Sequence, residues 1–122
     1  MTNNENQLLD GLKTRYYAGY VIGYQGLAMQ KLLESNYYET VCYLVDAIDL
    51  FWECACSSCS DNELLELIKE TRHDAKQALM FTMTEKDEHT AQCAAACKDI
   101  ALRVSRLLDE HTTVLFDYCT AQ

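Results

Sequence analysis

Proline is absent from all 122 residues. Sandwiches, barrels and loop-rich scaffolds ordinarily place proline at turns and sheet edges, so its absence steers the chain toward helices. Apolar residues recur at spacings of three and four in four successive segments separated by short polar breaks, which is the signature of amphipathic helices. With 49% apolar residues and a length near the modal domain size, the chain can bury one real core. The expected fold is all-α. It is a single domain over residues 1–122, an antiparallel up-down-up-down four-helix bundle of two hairpins, because short connections force neighbouring helices antiparallel.

The first segment runs from about Glu5 to Glu34, and its predicted inward stripe is Leu9, Leu12, Tyr16, Tyr20, Gly23, Leu27 and Gln30. Ser35 or Asn36 caps the second, with Glu39 placed for a capping box. Tyr37, Val41, Leu44, Ile48, Phe51 or Trp52, and Ala55 then share one face. Cys56–Ser60 breaks the pattern. Ser60 with Glu63 opens the third helix, which turns Leu64, Leu65, Ile68, Ala75, Ala78 and Leu79 inward. Thr84 is the expected cap of the fourth, with Glu85, Asp87 and Glu88 in its first turn, where the helix dipole favours acids. The fourth has the most regular seam: Cys93, Cys97, Ile100, Val104, Leu107, His111, Val114 and Tyr118.

Nineteen acidic residues against ten basic ones give a formal charge of −9. Such a surface repels nucleic acid and anionic lipid and favours basic partners. The polar start Met1–Gln7 lacks the basic and apolar regions of a secretory signal, and no apolar run approaches the roughly 20 residues of a membrane span. A cytoplasmic chain with no membrane and no nucleic-acid partner is the expectation. Seven cysteines, an odd number, then read as thiols or ligands rather than a disulfide framework.

Residues 24–50 resemble one tetratricopeptide repeat hairpin. Tyr24, Leu27 and Ala28 fall on the aromatic, leucine and small positions of its helix A, and Ser35-Asn36-Tyr37 occupies its turn. Thr40, Leu44 and Ala47 fall on the helix B positions, followed by Ile48 and Leu50. Thr40 departs from the small residue of the pattern, and the chain breaks near Cys54, where a second repeat would begin. The resemblance implies a helical hairpin and a role in binding peptides or proteins.

Four constellations carry candidate chemistry. Cys54, Cys56 and Cys59 form a Cys-x-Cys-x2-Cys cluster. In an up-down bundle Cys119 returns to the same end, so these four are the candidate ligands of a metal such as zinc or copper. Buried thiols filling a core are the plainer account, under which no cofactor is expected. His89, Cys93 and Cys97 mark a second potential ligand face. His73 and Lys76, within Thr71–Ala78, resemble the histidine phosphotransfer motif, with His73, Lys76 and Ala78 matching and Gln77 in place of its glycine. There His73 would carry the phosphoryl group and Lys76 steady it. Arg106-x4-His111 resembles the spacing of HEPN ribonucleases, but an acidic chain suits an RNA substrate badly.

Tyrosine is the last signal. Tyr16, Tyr17, Tyr20 and Tyr24 cover more than one face of the first helix, beside a stripe of small residues at Gly19, Gly23 and Gly26. One seam cannot bury all of these rings, and tyrosine suits interfaces because it is apolar with a polar handle. Tyr16, Tyr17, Tyr20, Tyr24, Gly19 and Gly23 are therefore the expected partner-binding residues. The expected function is that of a small acidic interaction bundle taking a basic or amphipathic, helical protein partner or a second copy, as chaperones, immunity proteins and antitoxins do. That comparison is one of size and charge.

Overall fold

The computed structural model describes the backbone of residues 3–84 and 90–114 and, within these, the side chains from Ala18 onward except that of Ser58. Four helices make up nearly all of it: α1 (Asn3–Leu33), α2 (Tyr37–Ser58), α3 (Asn62–Thr84) and α4 (Ala91–Glu110). No strand occurs among the described residues, so the all-α expectation holds.

Local chemistry sets each helix end. α1 closes in a Schellman turn: Asn36 N–H donates to Lys31 O at 2.9 Å and Ser35 N–H to Leu32 O at 3.0 Å. Ser35 takes the left-handed backbone position, with φ 59°. Asn36 caps α2, its Oδ1 accepting from Glu39 N–H at 3.2 Å while its Nδ2 donates to the Glu39 carboxylate at 3.0 Å. This is the expected reciprocal cap, with the carboxylate bonding the side-chain amide.

Two other ends differ from expectation. Asp61, not Ser60, starts α3, because its carboxylate reaches both Glu63 N–H (3.1 Å) and Leu64 N–H (3.3 Å). Thr90, not Thr84, caps α4, accepting from Cys93 N–H at 3.2 Å. Thr84 instead donates its hydroxyl back to Phe81 O within the last turn of α3. Glu85, Asp87, Glu88 and His89 lie outside the described residues.

The buried apolar residues, Cys93 apart, form one connected cluster drawn from all four helices. α2 supplies the largest share of it, because it packs on α1, α3 and α4 together. Val41, Leu44, Ile48, Phe51 and Ala55 are fully buried as the periodicity predicts. Thr40, Val45, Ala47 and Cys54 widen that stripe into a face. The Thr40 hydroxyl is satisfied by Asn36 O at 2.7 Å. α3 adds Ile68 and Ala75, and α4 adds Cys97, Ile100, Ala101, Val104, Leu107 and Leu108; Thr71 and Cys93 are buried as well. Val114 is buried too, whereas His111 is half-buried at the C-cap of α4, outside the apolar seam; Tyr118 lies outside the described residues.

Polar ties link the helices around this core. Asp49 of α2 accepts from Arg72 Nε of α3 at 2.5 Å and pairs with Lys76 at 3.6 Å. Asp74 of α3 accepts from Arg103 of α4 at 2.7 Å. Gln25 of α1 donates to Asp109 of α4 at 3.1 Å.

α1 corrects the sequence expectation most. Val21 and Ala28 are buried, with Ala18, Tyr24 and Leu32 packed beside them. Tyr20, Gly23, Leu27 and Gln30, expected inside, are exposed. The helix is apolar on several faces, so spacing alone could not choose between stripes. The side chains of Leu9, Leu12 and Tyr16 lie outside the described residues.

Candidate functional site

The exposed side of α1 is the most unusual surface of the chain. Charged residues make up 24% of the sequence, yet none occurs in the fifteen residues from Tyr16 to Gln30. At about 1.5 Å per residue this is roughly 22 Å of uncharged helix. All four glycines lie in α1 rather than in turns, and the turn position that glycine ordinarily fills is held by Ser35. Gly19, Gly23 and Gly26 fall within about 60° of arc, roughly opposite Val21 and Ala28. A Cβ placed on any of the three meets nothing within 4 Å. Each therefore costs the helix about 1 kcal/mol relative to alanine without serving the packing of the described residues.

Apolar side chains border this glycine groove. Ile22, Met29 and Leu33 run along one side, and Tyr20 and Leu27 along the other. Ile22 is 64% and Leu33 86% exposed. Such a trough of small residues between apolar ridges is the shape that lets a second helix approach closely. Among the described residues no helix is long and apolar enough to cross a membrane.

The predicted interface residues divide. Gly19, Gly23 and Tyr20 lie on the exposed side. Tyr24 turns the other way and is half-buried, stacked on Tyr43 of α2 with ring centroids 6.2 Å apart, and Tyr20 tilts against it at 5.6 Å. Tyr24 thus anchors Tyr20 to the hairpin instead of facing outward. The side chains of Tyr16 and Tyr17 lie outside the described residues. Ile22, Met29 and Leu33 were missed, although the charge-free run that holds most of them is plain in the sequence.

The thiol candidates do not gather. α2 continues through Ser58, beyond the expected break at Cys56, so Cys54 and Cys56 sit two residues apart on a helix and face opposite ways. Cys54 is buried in the core, Cys56 is exposed and Cys59 is half-buried beside Asp61 O at 4.0 Å. Cys119 lies outside the described residues. Among the described residues no three His, Cys, Asp or Glu side chains are placed to hold one metal ion. Cys93 and Cys97 are buried, and the Cys97 thiol faces Tyr37 O at 3.8 Å. Burial pushes that thiol up to about 11, while Thr40 and Lys98 act the other way.

His73 is exposed on α3 in a shallow hollow with Glu66, Lys69, Glu70 and Asp74. The three carboxylates oppose an incoming phosphoryl group. Lys76 is tied to Asp49 instead of being free beside His73. Arg106 is exposed on α4, in a hollow with Arg103, Leu107 and Glu110. Compared with known protein families, curated proteins and solved structures, the chain matches none.

Proposed function

We propose that this chain is a non-catalytic protein-interaction bundle that receives an amphipathic helix along the outer face of α1. One observation carries the reading. Gly19, Gly23 and Gly26 line an uncharged helix face that no part of the chain's own described packing uses. Their combined cost of roughly 3 kcal/mol brings no return in that packing, and a partner in the space they leave would offset it.

The partner this face suits is apolar or amphipathic rather than basic, because no carboxylate lies between Tyr16 and Gln30 to meet a cation. Behind the face stands an antiparallel up-down-up-down arrangement. Its support is the short links Glu34–Asn36 and Cys59–Asp61, together with the Gln25–Asp109 and Arg103–Asp74 bonds. The resemblance of residues 24–50 to a tetratricopeptide hairpin, from a family that binds peptides and proteins, points the same way.

The test is affinity capture from the native host with the wild-type chain, Ile22→Glu and Leu102→Glu. Leu102 is 50% exposed on α4 and serves as a control of equal chemistry elsewhere. Capture lost with Ile22→Glu and kept with Leu102→Glu is the expected result. Equal capture by both variants refutes the reading.

A further inference from the structure

We infer that Cys56 and Cys59 form a reversible dithiol–disulfide pair at the end of α2, whose substrate is the disulfide bond of a small neutral or cationic molecule. The inference is independent of the outer face of α1.

Spacing supplies the reach. Cys56-Ser57-Ser58-Cys59 spans the last turn of α2 and its C-cap. Residues three apart share one side of a helix, and helical rise and radius set their Cα atoms about 5 Å apart, inside the roughly 4.4–6.8 Å that disulfides span. Cys59 keeps that register, because its N–H still donates to Ala55 O at 2.8 Å. Within a continuous helix such a pair stands about 5–6 Å apart at Cβ, more than the roughly 3.8 Å of a disulfide. At Cys59 the helix stops. Its ψ of 132° is extended, and no further turn of α2 holds it, so its side chain is free to swing toward Cys56. Cys54 has no such approach, being buried in the core on the opposite side.

Exposure sets the order of the steps. Cys56 is exposed and meets the incoming disulfide, while Cys59 is half-buried against the core, its thiol only 4.0 Å from Asp61 O. The Cys56 thiolate attacks one sulfur of the substrate, forms a mixed disulfide and releases one thiolate. The Cys59 thiolate then attacks the Cys56 sulfur, closes the Cys56–Cys59 bond and releases the second. One disulfide is broken and one made, and the two cysteine protons end on the two released thiols. Exposed Glu53, Asp61 and Glu63 surround the turn, in a chain of net charge −9, and repel an anionic disulfide.

The test incubates the reduced, purified full chain with 2-hydroxyethyl disulfide, a neutral probe. Free mercaptoethanol is held at about 0.1 mM, below the millimolar effective concentration of a tethered thiol. Acid quenching, intact mass and peptide mapping read the products, and circular dichroism checks that each variant stays helical. The wild type is expected to lose two hydrogens through a Cys56–Cys59 bond. Cys59→Ser and Cys59→Ala should stop at the Cys56 mixed disulfide, at least about tenfold more abundant than in the wild type. Glutathione disulfide, an anion, should react about tenfold more slowly than the neutral probe at low salt. A wild type that accumulates the mixed disulfide as the Cys59 variants do overturns the inference. So does a Cys56 bond to any other cysteine or to a second copy, or no reaction at Cys56. Equal rates for the two probes overturn the substrate class.

Discussion

Replacing Gly23 by alanine should make the isolated chain more stable while weakening what it binds. Gly23 lies in the interior of α1, its backbone is not in the left-handed region, and a methyl group there meets nothing within 4 Å. The substitution therefore brings no clash and no strain. It recovers the helix propensity that glycine forfeits, about 1 kcal/mol, partly by restricting the unfolded chain. For a domain of this size that corresponds to roughly 4 °C in melting temperature. The assay is thermal unfolding followed by far-ultraviolet circular dichroism in dilute solution, where association contributes least, with affinity capture from the native host as the measure of binding. The melting temperature should rise by the full amount and capture should weaken, because the added methyl group holds the docked helix off. Destabilisation in dilute solution would mean that Gly23 packs against the chain itself, and the argument from the open groove would fail.

Other consequences are independent of that face. Ser35→Gly should stabilise the chain by about 1 kcal/mol in chemical denaturation, since Ser35 holds a left-handed φ of 59° that glycine adopts freely. Phe51→Ala, at a fully buried position on the most enclosed helix, should cost about 3–5 kcal/mol by the same measurement. Because burial raises the Cys97 thiol from 9.0 to about 11, its share of stability is complete below pH 9 and is lost as pH rises toward 11. Alkaline titration of stability should therefore show a smaller loss in Cys97→Ala. A thiol reagent should modify exposed Cys56 before buried Cys54, Cys93 and Cys97, whose reaction should await unfolding.

The helical character, the α2 face and the α4 seam were legible because apolar and polar residues alternate there with one consistent period. Val41, Leu44, Ile48 and Phe51 leave a single choice of inward side. α1 was not legible in that way. Its uncharged run offers apolar residues all round, so Tyr20–Leu27 and Val21–Ala28 were equally good stripes until packing against Tyr43 and the α2 core chose the second. The helix starts were missed by a few residues where a stronger cap stood nearby: Asp61 beside Ser60, and Thr90 beyond Thr84. The thiol cluster looked like a ligand set only while Cys56 ended a helix. Once α2 continues to Ser58, helical geometry separates Cys54 from Cys56. Of the candidate site, the glycine stripe and Tyr20 were readable from spacing. Ile22, Met29 and Leu33 became visible only when the buried side of α1 was known.

The outer face of α1 as a docking surface is tested most directly by photocrosslinking in the native host. A benzophenone amino acid is placed at position 22 and, as a control, at position 102. The account predicts a discrete adduct from position 22, at twice the chain mass if a second copy is the occupant, and none from position 102. No adduct at position 22, or equal adducts at both positions, would contradict it.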